Sequence, residues 1–226
     1  MSLFAHHGPL GPEPKGIWSE PPPQGLVYLD PFGRRLRALR DGTVVIDTER
    51  ALIAHQAGRL PRFVIPVADV ADGIGKPYVG VAGLDGHVRV HPDEADTWME
   101  EQAVLPHGLP RNPFHRVDSV ATDRRLHVAV GGTTLVDTTD TMAVFETALA
   151  PCLYVAPKHV RMDLLVRSDT SSWCPYKGTA SYWTAVAGDV TVPDAAWSYD
   201  DPLPGALPIA GYLSFYNDRA TILATY

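Results

Sequence analysis

From Arg34 onward, apolar and polar residues alternate along this chain with the two-residue period of half-buried strands. Arg40-Asp41-Gly42-Thr43 interrupts the alternation with the Asp-Gly pair that closes two-residue hairpins. Ninety positions on, the pattern returns. Residues 34–48 align without gaps on residues 124–138, and the correspondence continues through Leu52 with Met142, Gln56 with Glu146, Pro61 with Pro151 and Val70 with Val160. An internal duplication is the simplest source of such agreement. Each copy predicts a hairpin, then a short middle segment (49–57 and 139–149), then a further strand (62–66 and 152–157). The middle segments are short and mixed in pattern, which leaves helix and strand both open.

Beyond these strands the copies diverge. The first predicts a strand over 78–82 and a hairpin at Asp85-Gly86. The second inserts residues 161–177, then predicts strands over 179–187, 190–192, 207–216 and 220–226, with a turn at Gly188-Asp189. Trp98 and Trp197 are expected in equivalent places, as are Leu105-Pro106 and Leu203-Pro204. Many short strands at turn spacing imply a mainly β, antiparallel architecture. The expected division is a Pro/Gly-rich arm over 1–24, containing Pro21-Pro22-Pro23, a first copy over 25–115 and a second over 116–226.

A length of 226 residues with 45% hydrophobic content suits one large β-domain or two small ones. The formal net charge of −7 argues against a phosphate-tracking basic surface and against attraction to an anionic membrane, so neither nucleic acid nor membrane is an expected partner. No long apolar run or basic leader with an apolar core is present, and Cys152 and Cys174 are too few for a disulfide scaffold, which points to the cytoplasm. The oligomeric state is not legible in the sequence.

The inserted stretch concentrates the chemistry. Trp173-Cys174-Pro175-Tyr176-Lys177-Gly178-Thr179-Ala180-Ser181-Tyr182-Trp183 carries a thiol, an amine, two phenols, two indoles and hydroxyls. Cys174 is the candidate nucleophile, provided that Lys177 lowers its pKa; as a plain core residue it would be a small hydrophobe. Lys177 is a candidate cation, amine nucleophile or base, with Tyr176 and Glu146 as further acid–base candidates; Glu146 stands where the first copy has Gln56. Arg161 and Asp163, two apart, would share a strand face and bridge to Lys177 and Asp169. Thr179, Ser181, Tyr182, Trp183, Trp197 and Tyr199 are candidate pocket residues, although alternation puts Tyr182 on the face opposite Ser181 and Trp183. The same aromatics are also ordinary material for a β core.

Other chemistries fare worse. His87 and His91 lack a third ligand at metal spacing, so no metal is expected. Gly73-Ile74-Gly75-Lys76-Pro77 lacks the spacing and the Ser or Thr of a P-loop, and there is no Gly-x-Ser-x-Gly elbow.

Arg161-Met162-Asp163-Leu164-Leu165, Ser168-Asp169-Thr170, the stretch from Cys174 to Trp183, Ala196-Trp197-Ser198-Tyr199 with Pro202-Leu203-Pro204, and Ile209-Ala210-Gly211 through Phe215-Tyr216 together resemble the DUF427 domain family. The first copy resembles a degenerate member in a tandem arrangement. The resemblance implies a small, mainly β domain of the β-tent (Mss4-like) kind without the zinc-binding cysteine pairs of other β-tents, and it implies no agreed activity. The nucleotidyltransferase-like label attached to the family finds no Gly-Ser pair followed by spaced aspartates here.

The expectation is therefore an enzyme that uses neither metal nor bound cofactor. It would act on a small polar or anionic organic molecule, which Arg161 and Lys177 hold and Trp183 and Trp197 wall in. The alternative is a non-catalytic module whose aromatic, basic pocket binds a small molecule or peptide. A third reading makes the motif purely the core of a β-tent.

Overall fold

The computed structural model describes residues 19–20, 25–56, 59–79, 81–147 and 149–225, with only the backbone described over 222–225. Apart from Ser19 and Glu20, the expected arm over 1–24 lies outside the described residues. The chain forms two compact units, one reaching Asn112 and the other running from Pro113. Both are mainly β, and every ladder between their strands is antiparallel.

The first unit contains β1 (Val27–Pro31), β2 (Leu36–Arg40), β3 (Thr43–Thr48), β4 (Leu52–Gln56), β5 (Arg62–Pro66), β6 (Lys76–Pro77), β7 (His87–Arg89), β8 (Thr97–Glu100) and β9 (Ala103–Val104). They form two sheets, ordered β1-β4-β5-β7-β6 and β3-β2-β8-β9. Inward residues of both, among them Leu36, Ile46, Ile65 and Trp98, meet in one apolar core. The second unit contains β10 (Val117–Thr122), β11 (Arg125–Val130), β12 (Thr133–Thr138), β13 (Thr141–Glu146), β14 (Cys152–Val155), β15 (Leu165–Cys174), β16 (Gly178–Ala187), β17 (Val190–Ser198), β18 (Leu213–Phe215) and β19 (Thr221–Thr225). A seven-stranded sheet, β10-β13-β14-β18-β17-β16-β15, faces a three-stranded one, β12-β11-β19, across a core that includes Val128, Leu135, Val155 and Leu213.

The two units share details at the spacing of the sequence repeat. Arg35 grips Asp47 with two parallel bonds of 2.7 and 2.6 Å, and Arg125 grips Asp137 with two of 2.7 Å. The β2–β3 ladder slips register between Ala38 and Leu39, and the β11–β12 ladder slips between Val128 and Ala129. Isolated bridges join Ile46 to Val70 and Val136 to Val160. Both middle segments are strands, because β4 is paired on both sides by β1 and β5, and β13 by β10 and β14.

Other expectations are corrected. Trp98 and Trp197 are not equivalent. β8 pairs with β2 (Leu36↔Glu100) as β19 pairs with β11 (Leu126↔Ala224), so Trp98 belongs to the smaller sheet and Trp197, on β17, to the larger. The same shift separates Leu105-Pro106 from Leu203-Pro204. Facing β7 in the place of Trp197 stands Lys76 (Lys76↔Arg89, against Trp197↔Ser214). The strand expected over 78–82 is instead the two-residue β6. The strand expected over 207–216 begins as a 3-10 segment (Pro204–Ile209), whose Pro204 and Pro208 have no N–H to give a ladder.

β15 was hidden inside the insertion. It is an edge strand exposed along most of its length, so neither of its faces carries the apolar alternation that marks a half-buried strand.

The β11–β12 turn requires glycine on two counts. Gly131 has φ +56°, and a Cβ there would lie 2.7 Å from Cγ2 of Val190, a stiff β-branched side chain. Gly131→Ala is expected to lower stability in urea by at least about 1–2 kcal/mol for the left-handed backbone alone. Val190→Gly in the same chain should recover the part due to the clash, because Val190 Cβ would itself lie 2.9 Å from the new methyl group, and an unchanged midpoint in Gly131→Ala would contradict this account.

Candidate functional site

Two pieces of backbone bring the central groups together. β13 ends at Glu146, and the β15–β16 hairpin turns through Pro175, Tyr176 and Lys177. The turn closes tightly because Gly178 adopts φ +98° where a Cβ would meet Asp201 O and Leu203 N at 3.4 Å. Leu203 N–H then donates to Lys177 O at 3.1 Å, which fixes the turn against the 201–203 backbone.

There Lys177 Nζ donates to Glu146 Oε2, and both side chains are buried. His115 Nε2 donates to the other carboxylate oxygen, Oε1, at 2.9 Å. The imidazole is itself buried and stacks on Tyr176, with ring centroids 3.8 Å apart and planes 20° apart. Its Nδ1 is buried and has no hydrogen-bond partner among the described residues. The Lys177 ammonium also lies 5.7 Å from the ring centroid of Tyr199. Burial pushes the Glu146 carboxyl up, but the His115 hydrogen bond and the Lys177 charge outweigh it and leave the group below its ordinary range.

Glu146 and Lys177 open onto a cleft of about 660 Å³, lined further by Cys152, Tyr154, Trp197 and Tyr216. Trp197 Nε1 donates to Tyr154 Oη at 2.9 Å, and the Trp197 and Tyr216 rings lie 4.4 Å apart. Burial pushes the Tyr154 and Tyr199 phenols far up, so both remain neutral.

The remaining sequence candidates scatter. Cys174 is buried in a core cluster with Tyr182 and Tyr199 and does not line the cleft. Burial pushes its thiol up, and the Lys177 charge does not reverse this, so the lowered pKa required of a nucleophilic Cys174 is absent. Arg161 and Asp163 do not join a buried cluster with Lys177 and Asp169. A 3-10 turn (Met162–Leu164) replaces the expected strand there, and the two side chains close on each other at 2.8 and 2.6 Å on the exposed surface.

Trp183 and Trp197 do not wall one pocket. Tyr182 and Trp197 are register partners, whereas Trp183 packs against the other core and donates to Ser198 Oγ at 3.2 Å. Ser181 sits near Trp183 in a network with Arg167 and Asp200, Tyr182 bonds Ser172 at 2.7 Å, and Thr179 is exposed.

Two members of the arrangement were missed. His115 precedes β10 with no motif around it, and the only sequence signal for Cys152 was its place at the start of a strand beside a Pro. Among the described residues no group of three or more His, Cys, Asp or Glu is placed to hold a metal ion, and no helix is long and apolar enough to cross a membrane.

Residues 118–225, which carry all of these groups except His115, match the family described as a domain of unknown function, DUF427. The C-terminal unit belongs to that family. No curated protein matches the sequence. The DUF427 unit thus contains the buried Lys177–Glu146 pair and the aromatic cleft, and the family description assigns a role to neither.

The depressed Glu146 carboxyl predicts the sign of a pH effect. A carboxyl whose folded pKa lies below its unfolded value of 4.5 contributes stability that is present above pH 4.5 and lost as the pH falls through the folded value. Glu146→Gln should therefore lose stability relative to wild type near pH 7, and the gap between the two melting temperatures should narrow as the pH falls below about 4.5. A gap independent of pH between 3 and 7 would contradict the assignment.

Proposed function

We propose that the DUF427 unit binds a small polar organic molecule in the cleft, its flat apolar part against Trp197 and Tyr216 and an acceptor group on Lys177. The observation behind this reading is a buried ion pair placed on the wall of an aromatic cleft. As a stabilising device such a pair is a poor choice, because well-packed apolar residues usually do as well or better. On a cleft wall it supplies a fixed donor in a low-dielectric setting, where a hydrogen bond to a ligand counts for more than it does in water. Glu146 balances the Lys177 charge, so the favoured ligand is neutral or carries one charge.

To test this, the full chain is equilibrated with a small-molecule cell extract, desalted and denatured, and the released compounds are read by mass spectrometry. A compound released by wild type and missing from both Lys177→Met and Trp197→Leu, with both variants folded, is the expected result. The same compounds from all three proteins, or none from wild type, would refute the proposal.

Turnover is a second reading, favoured by Cys152. This thiol lines the same cleft and Cys174 does not; burial pushes both thiols up against the Lys177 charge, so the case for Cys152 is its access to the cleft and not its acidity. A metal-independent enzyme would use Cys152 as nucleophile and Lys177 to polarise the substrate. Iodoacetamide should then alkylate Cys152 faster than Cys174, with a rate that climbs towards and beyond pH 9.0, the ordinary thiol value. Equal, slow labelling of both thiols at every pH would remove this role.

We infer further that the first unit is a degenerate copy of the second. The matched Arg–Asp grips, ladder slips and isolated bridges support that origin. A cytoplasmic setting is in keeping with the two free thiols.

A further inference from the structure

The first unit contains a cleft of its own, about 850 Å³, in the place that corresponds to the cleft of the DUF427 unit. The correspondence follows from register. Gln56 ends β4 as Glu146 ends β13, and Arg62 opens β5 as Cys152 opens β14. Ile65 pairs with Val88 as Val155 pairs with Leu213, which sets Arg89 in the place of Ser214. Lys76 takes the place of Trp197. A carboxylate, a thiol, a hydroxyl and an indole in one cleft are thus matched by an amide, two guanidinium groups and an ammonium in the other, and Arg59 lines the second cleft as well.

These cations have no partner that explains them. Arg59, Arg62, Lys76 and Arg89 form no ion pair with any described residue, in a chain whose net charge is −7. Lys76 and Arg89 are direct cross-strand partners, an arrangement of like charges that destabilises a sheet unless something lies between them. The carboxylate lining the cleft, Glu94, already accepts the backbone N–H groups of Gly75 at 2.8 Å and His91 at 2.7 Å. Burial pushes the Arg62 guanidinium down, the direction expected of a cation held partly out of water without a counter-charge. The half-buried phenol of Tyr78 lines the same space.

We propose that this cleft binds a small organic polyanion, a molecule with two or more carboxylate or phosphate groups. Guanidinium forks match both groups in pairs of parallel bonds, and the cavity is of the size that encloses a small molecule. The proposal does not depend on the DUF427 cleft having a ligand.

The test is calorimetric titration of the full chain at low ionic strength with inorganic pyrophosphate in one arm and citrate in the other. Saturable one-to-one binding that weakens with added salt is expected, and the tighter arm tells phosphate from carboxylate. Gln56→Glu, which restores the carboxylate of the other cleft, should weaken binding by at least about tenfold. Arg62→Gln and the exposed Arg89→Gln should do the same, while Arg125→Gln, an equal loss of charge on the second unit, should leave it unchanged. Absence of saturation in both arms would overturn the proposal, as would wild-type affinity in all three cleft variants. A single-stranded oligonucleotide that displaces pyrophosphate and binds more tightly would overturn it in favour of nucleic acid.

Discussion

The contact between Lys177 and Glu146 joins the end of β13, a strand paired on both sides as β4 is in the other unit, to the turn of a hairpin for which that unit has no counterpart among the described residues. Taking each ion out of water costs several kcal/mol, and their mutual attraction offsets this only if the geometry is held and the remaining valences are met. Every neighbour serves that requirement. His115 takes the second carboxylate oxygen, Tyr176 stacks on His115, and the 201–203 backbone fixes the turn through Leu203 N–H and the space that Gly178 leaves. Loss of any of these would leave a charge in a poorly solvating place, which is why the hairpin's position is set by its tip as well as by its ladder.

The two clefts show how one backbone can carry opposite electrostatics. In the DUF427 unit a carboxylate and an ammonium cancel, and aromatic walls supply the rest. In the first unit the strands and register persist, but the side chains that project from them are cationic. Strand pairing fixes where side chains emerge and says little about which ones, because the core between the sheets is built from the alternate residues of the same strands, which point to the opposite face. A cleft on the outer face can therefore change its charge without disturbing the packing between sheets.

That separation also explains which features were legible in the sequence. The hairpins and the mainly β character follow from alternation, which reports the buried face and is present in both units. Glu146 was picked out because Gln56 stands at the matching position, and Lys177 because of its crowded motif. Proximity in sequence misled elsewhere. Arg161 and Asp163 were assigned a common strand face that a 3-10 turn abolishes, and Trp183 and Trp197 were assigned one pocket although alternation from Tyr182, the register partner of Trp197, sends them to opposite faces. His115 had no signal because its role depends on a partner thirty-one residues away. The acidity of Cys174 depends on burial, which a motif does not disclose.

The exposed strand β15 has a consequence for how the protein behaves among copies of itself. A ten-residue sheet edge presents a row of free backbone donors and acceptors that another chain's strand would ordinarily extend. This edge is broken by a register slip between Arg167 and Ser171 and exposes Asp169, Thr170, Ser171 and Ser172, with Thr170 and the half-buried Ser168 tied to Asp194 at 2.9 and 2.6 Å. The residues that concealed the strand from hydrophobic patterning are thus the ones that discourage fibrillar growth along it, and the polarity of the insertion acts as protection against self-templating.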